Sequence, residues 1–152
     1  MRTALEALPV FRGLTPAERR VVATLGERRQ VPAGTVLFRE GTPADALYLI
    51  LRGEVRIAKA VPGTGEEVLA LLPAGSTCGE MALIDGYPHS ATAVVGQRAT
   101  LLVIARAAFA RFLEERPELA VKVLWALCQS LSGRLRETNE RIAALFADTR
   151  AV

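Results

Sequence analysis

A chain of 152 residues, 51% of them apolar, is long enough to bury a full hydrophobic core as one domain, taken as residues 1–152. It contains no run of about eighteen apolar residues, and charges occupy the N-terminal stretch where a signal peptide would be apolar, so the sequence predicts no membrane span, no secretion and a cytoplasmic protein. The net charge of +3 is almost all arginine, with Lys59 and Lys122 the only lysines, and acidic residues interleave with basic ones. That is a mixed surface, not the basic face that nucleic-acid binding requires.

In chain order, Thr15-Pro16-Ala17-Glu18 reads as a helix start: threonine caps, proline suits the first helical position and Glu18 completes a capping box. The helix should run to about Leu25 behind Leu14, within an N-terminal helical region, 1–26. From Glu27 the texture changes to short Val/Leu/Ile segments broken at Pro32-Ala33-Gly34, Gly41-Thr42-Pro43, Arg52-Gly53, Pro62-Gly63-Thr64-Gly65, Pro73-Ala74-Gly75 and Gly96. Turn signals at such spacing predict an all-β sandwich or barrel, a roll of about eight strands over 27–105. Ala46–Leu51 and Glu54–Ala60 are read as a pair flanking a tight turn at Gly53, with Glu67–Leu72 completing a meander. After Arg106 the period becomes helical: Ala107–Glu115, a break at Pro117, and a long helix to about Asp148, together 106–148. The fold class is mainly β with flanking helices.

Within the last helix Leu124, Leu131, Thr138 and Leu145 recur every seven residues, and Cys128, Leu135 and Ile142 recur in the same period four on. That is a coiled-coil seam, and it predicts a homodimer through the C-terminal helix. The first turns, with Leu119, Val123 and Trp125, are expected to dock on the chain's own roll. Cys78 and Cys128 stand apart without a paired-cysteine motif and read as ordinary buried thiols, neither zinc ligands nor a disulfide framework.

The stretch GEMALIDGYPHSATAVV, Gly79 to Val95, is the most informative. A glycine before Glu80-Met81-Ala82-Leu83-Ile84 suggests a short helix whose free backbone N–H groups and positive dipole end suit an anion. Asp85-Gly86-Tyr87-Pro88 turns the chain, and His89-Ser90-Ala91 brings back a protonatable ring, a hydroxyl and more N–H groups. Glu80 is an odd neighbour for phosphate but a natural acceptor for sugar hydroxyls, so the ligand should carry both. Elsewhere, Gly63-Thr64-Gly65-Glu66-Glu67-Val68 starts like a dinucleotide fingerprint but joins two strands and lacks the last glycine, which makes it a hairpin loop. With a single histidine and no metal-ligand cluster, the chain is not expected to be an enzyme or to hold a metal or cofactor.

The run Gly79-Glu80-Met81-Ala82-Leu83, then Pro88, one residue and Ser90-Ala91-Thr92-Ala93, resembles the phosphate-binding cassette of cyclic nucleotide-binding domains, found in catabolite activator proteins, protein kinase A regulatory subunits and cyclic-nucleotide-gated channels. Val36–Gly41 and Ala46–Val55 resemble the strands before it. The resemblance implies a double-stranded β-helix (jelly roll), with the cassette at 79–91 and cyclic AMP or cyclic GMP as ligand. It implies that Glu80 accepts from the ribose 2′-hydroxyl, and that the backbone at Gly79, Met81, Ala82 and Ala91, with the Ser90 hydroxyl, holds the cyclic phosphate. Ile57 and Leu69 would touch the base, and Thr138 and Asn139 on the long helix would cap it. One position departs: the family has arginine where this chain has His89. Two readings follow, a substitute phosphate contact or a remnant in a pocket that binds something else or nothing.

The function expected is therefore a stand-alone cyclic nucleotide sensor that relays binding through the C-terminal helix across a hinge near Pro117. The alternatives are a protein-interaction or dimerisation module with a degenerate pocket, acting on an unknown protein effector, and a regulator that recognises DNA through a partner chain. Only Thr149-Arg150-Ala151-Val152 follow the helix, so no direct DNA contact is expected.

Overall fold

A computed structural model describes residues 8–150; the start of the N-terminal region, 1–7, lies outside the described residues. A 3-10 turn at Pro9–Phe11 leads to α1 (Pro16–Thr24), which carries the capping box: the Thr15 hydroxyl accepts from the Glu18 N–H at 3.2 Å, and Glu18 accepts from the Thr15 N–H at 2.9 Å. Strands β1 (Glu27–Val31), β2 (Val36–Phe38), β3 (Ala46–Val61), β4 (Gly65–Pro73) and β5 (Thr77–Cys78) precede α2 (Glu80–Asp85). Then come β6 (Thr92–Ala105), α3 (Arg106–Glu115) and α4 (Pro117–Arg150), with the helical break at the expected proline.

The sheet is antiparallel in the order β1-β6-β3-β4, with β2 also on β6 and β5 also on β3. Among the described residues it has six strands rather than about eight. The expected turn at Gly53 is a bend inside the unbroken β3, and Gly96 lies inside β6. The β3–β6 register slips between Ile50 and Arg52, Arg52 and Glu54, and Glu54 and Val55, which lets one long strand curl instead of ending. Gly53 has φ +88°, and a Cβ there would lie 2.4 Å from the Arg98 carbonyl oxygen, so a glycine at this place signals a bulge as readily as a turn.

The apolar run Ala46–Leu51 has both faces buried, and alternation sorts its residues into two cores. Leu47, Leu49 and Leu51 pack outward with Phe11, Phe109, Phe112, Leu119, Val123 and Leu127 of the helical layer. Tyr48 and Ile50 pack inward with Val55, Cys78, Val95 and Leu101 inside the roll.

On α4 the docking stripe is Leu119, Ala120, Val123 and Leu127. Trp125, expected in that layer, is instead 68% exposed. It stands two residues past Val123, roughly 200° round the helix at about 100° per residue, and so points away from the roll. Cys78 is buried as expected, but Cys128 is exposed, on the same outer side. Of the heptad residues, Leu124 and Leu131 are partly buried, whereas Cys128, Leu135, Thr138, Ile142 and Leu145 are exposed. Among the described residues no helix is long and apolar enough to cross a membrane.

Candidate functional site

Pairing of β5 with β3, Tyr48 opposite Cys78, sets the start of the cassette against the mouth of the roll. Gly79 then turns the chain into α2 with φ +85°, and a Cβ there would lie 2.8 Å from the Ala46 carbonyl oxygen, so only glycine fits without a shift. It offers no side-chain cap, so the first-turn N–H groups of α2, which have no intrahelical acceptors, gain none from Gly79. Gly86, at φ +75°, ends α2, and the Asp85 carboxylate accepts from the Tyr87 N–H at 2.9 Å to turn the chain back. The returning strand is clamped to the loop after β2: the His89 N–H donates to the Thr42 carbonyl at 2.9 Å, and the Gly41 N–H to the His89 carbonyl at 2.8 Å.

These elements enclose a hollow of about 140 Å³. Of the residues expected in a site, Gly79, Glu80, Met81, Ala82, His89, Ser90, Ala91 and Ile57 all line it. Leu69, Thr138 and Asn139 do not. Leu69 is the extra residue of a bulge in β4, where Ile57 pairs with Ala70 and Ala58 with Val68; it is exposed, and its carbonyl accepts from Arg141 of α4. Thr138 and Asn139 are exposed on α4, one turn past the point where the helix meets the cassette, and the Thr138 hydroxyl donates to the Arg134 carbonyl at 2.9 Å. Of the residues expected to touch or cap a base, Ile57 alone lines the hollow.

Glu80 is 2% exposed. Its Oε1 lies 2.8 Å from Nη2 of Arg134, which also donates to the Thr77 carbonyl at 2.7 Å and the Thr77 hydroxyl at 3.3 Å. Oε2 is buried and has no partner among the described residues. Burial pushes the Glu80 carboxyl above its ordinary range, and Arg134 opposes that by favouring the charged form. Arg134 is the residue the sequence reading missed. It sits between the heptad positions Leu131 and Leu135 and reaches the cassette only because α4 passes over it.

His89 is 4% exposed. Its ring lies flat on Phe38, centroids 3.8 Å apart and planes within 8°, and its Nε2 is buried without a partner among the described residues. Burial pushes its pKa below the ordinary 6.5, with Asp45 acting weakly the other way, so the ring is neutral at pH 7. Phe38, three residues before Gly41, was legible only as an apolar strand residue. Cys78 also lines the hollow, but burial raises its thiol well above the ordinary range, which makes it inert.

A roll closed by a short glycine-started helix, with a buried carboxylate and an N–H-rich turn at its mouth, has the makings of a small-ligand binding site. The family model described as cyclic nucleotide-binding domain matches residues 28–116, and the chain belongs to that family. The cyclic AMP receptor protein of Thermus thermophilus is 34% identical over 135 residues, 89% of this chain and 61% of that protein. The crystal structure of the Thermus thermophilus catabolite activator protein superposes with a TM-score of 0.76 at 34% identity, covering 90% of this chain and 62% of that one. A cyclic nucleotide-binding domain from Methylobacillus flagellatus KT superposes with a TM-score of 0.84 at 35% identity, over 93% of this chain and 79% of that one. The cAMP-dependent protein kinase regulatory subunit of Pyricularia oryzae is 34% identical over 109 residues, 72% of this chain and 27% of that protein. The chain thus spans about 60% of the length of the bacterial regulators it resembles and less of the kinase subunit. These relatives are a receptor protein, a kinase regulatory subunit and a binding domain.

Proposed function

We propose that this chain is a cyclic nucleotide sensor, a binding and not a catalytic protein, that takes cyclic AMP or cyclic GMP in the hollow of the cassette and passes the event to α4. One observation carries the reading: Glu80 is buried with one oxygen on Arg134 and the other without a partner, beside an open hollow. A buried carboxylate oxygen left without a hydrogen bond destabilises the empty protein, and a ribose hydroxyl would satisfy it. The first-turn amides of α2 and the Ser90–Ala91 segment stand where a cyclic phosphate would complete the ligand.

The relay rests on Arg134. It belongs to α4 yet bonds Thr77 and Glu80 of the cassette, so a ligand hydroxyl that donates to Oε2 of Glu80 acts on the same carboxylate that holds the long helix through Oε1. Transmission needs an element whose two arrangements bind ligand unequally, and the α3–α4 break at Arg116, where the backbone leaves helical geometry (φ −130°, ψ 61°), supplies a hinge. The exposed Leu135, Ile142 and Leu145 support pairing of α4 with a second copy, which would bring Thr138 and Asn139 of the two helices together at the seam.

Calorimetric titration with cyclic AMP and cyclic GMP tests the reading. One-site binding of either nucleotide is expected; no heat with either would refute it. Light scattering tests the seam: a dimer is expected, and Leu135→Asn with Ile142→Asn should give a monomer.

A further inference from the structure

The phosphate side of the proposed site poses a charge problem. A cyclic phosphodiester carries a full negative charge, which is costly to desolvate without a counter-charge. His89 stands where the arginine would be, but its ring is pinned on Phe38 and has a neutral N–H to offer rather than a fork of charged donors. Arg134, the cation that lines the hollow, is committed to Glu80 and Thr77 on the sugar side.

A second cation is attached to the cassette itself. Lys59 follows Ile57 by two residues on β3, and the period of a strand places both on one face, with Ile57 lining the hollow. Its Nζ donates to the Ser90 carbonyl at 2.7 Å and lies 3.8 Å from Oε2 of Glu40. Glu40 is held in turn: its Oε1 accepts from the Ala60 N–H at 3.2 Å, and its own N–H donates to the Thr92 hydroxyl at 2.9 Å. The ammonium is thus parked on the backbone of a residue whose hydroxyl is expected to hold phosphate, on a flexible stem that needs no backbone movement to turn inward.

Building on the cyclic nucleotide reading, we propose that Lys59 is the residue that neutralises the ligand phosphate in this chain, exchanging the Ser90 carbonyl for a phosphate oxygen while His89 adds a neutral hydrogen bond. The job that one arginine performs within the cassette is here divided between a loop histidine and a strand lysine.

The test is titration of cyclic AMP and cyclic GMP into the wild type, Lys59→Gln, Lys59→Arg and Lys59→Gln with His89→Arg, at low and high salt, with thermal denaturation confirming that each variant folds. Lys59→Gln should weaken binding about tenfold or more, as loss of a charge-assisted hydrogen bond does, and should flatten its salt dependence. Lys59→Arg should stay within about threefold of the wild type, and His89→Arg should restore affinity to the Lys59→Gln chain. Two results overturn the role of Lys59 and leave the site reading intact: Lys59→Gln binding as tightly as the wild type, or binding more weakly with unchanged salt dependence, which would make the lysine a brace for the Ser90 carbonyl. A wild type that binds neither nucleotide removes the site reading, and Lys59 with it.

Discussion

The two walls of the hollow treat their polar groups differently. On the α2 wall Glu80 is buried but ion-paired, anchored through Arg134 to the long helix. On the returning wall His89 is equally buried but has only an aromatic face beneath it and an N–H clamp on its backbone. The α2 wall is therefore tied to the long helix, and the returning wall to the roll. Under the proposed function, ligand would be read out through Glu80 and Arg134, and His89 would set affinity.

The largest effect should come from cutting the α2 wall from the helix. Arg134→Ala leaves a buried carboxylate without a partner and should cost about 2–3 kcal/mol of stability at pH 8, visible as a lower Tm. The loss should shrink as pH falls, because Glu80, already pushed above its ordinary range by burial, then takes up a proton and no longer needs the cation. If Arg134→Ala is neutral at both pH values, the contrast between the walls fails.

Next is the affinity set by the other wall. His89→Arg should tighten cyclic AMP binding about tenfold by supplying charged, forked donors. Calorimetry would show this, and an unchanged or weaker affinity would mean that the ring on Phe38 is not on the phosphate side.

The smallest effect is on stability against pH. The folded pKa of His89 lies below 6.5, so the unfolded chain protonates first, and the stability that the neutral ring contributes is present above about pH 6.5 and lost below it. Glu80 acts in the opposite sense: its folded pKa is raised, so the folded chain takes up its proton first, and the penalty of its ionisation fades as pH falls toward 4.5. Thermal melts from about pH 7.5 to pH 5.5 should show a Tm that declines in the wild type and is flat or rising in His89→Gln. Parallel curves would place the titration elsewhere.

What was legible in the sequence was what short-range chemistry determines. The capping box at Thr15, the break at Pro117 and the glycine that starts α2 each depend on neighbours a few residues away, and each appears where expected. The cassette residues were legible because their spacing in the chain is their spacing in the pocket. What failed depended on partners far along the chain. Gly53 looked like a turn, since a positive φ serves a bulge and a turn alike, and only the β6 partner tells them apart. Leu69 was expected at the base, but one extra residue in β4 shifts its register against β3, and a slip of one changes the face. Arg134 lies 54 positions after Glu80 and Lys59 lies 31 before Ser90, so no local pattern marked the contact that either makes with the cassette.

The most direct test of the central claim, that a buried carboxylate tied to the long helix grips the sugar of a cyclic nucleotide, is calorimetric titration of cyclic AMP into the wild type and Glu80→Gln at neutral pH. The account predicts one-site binding that is weakened about tenfold to a hundredfold in Glu80→Gln, the range for a hydrogen bond to a charged acceptor. Equal affinities in the two chains would contradict it.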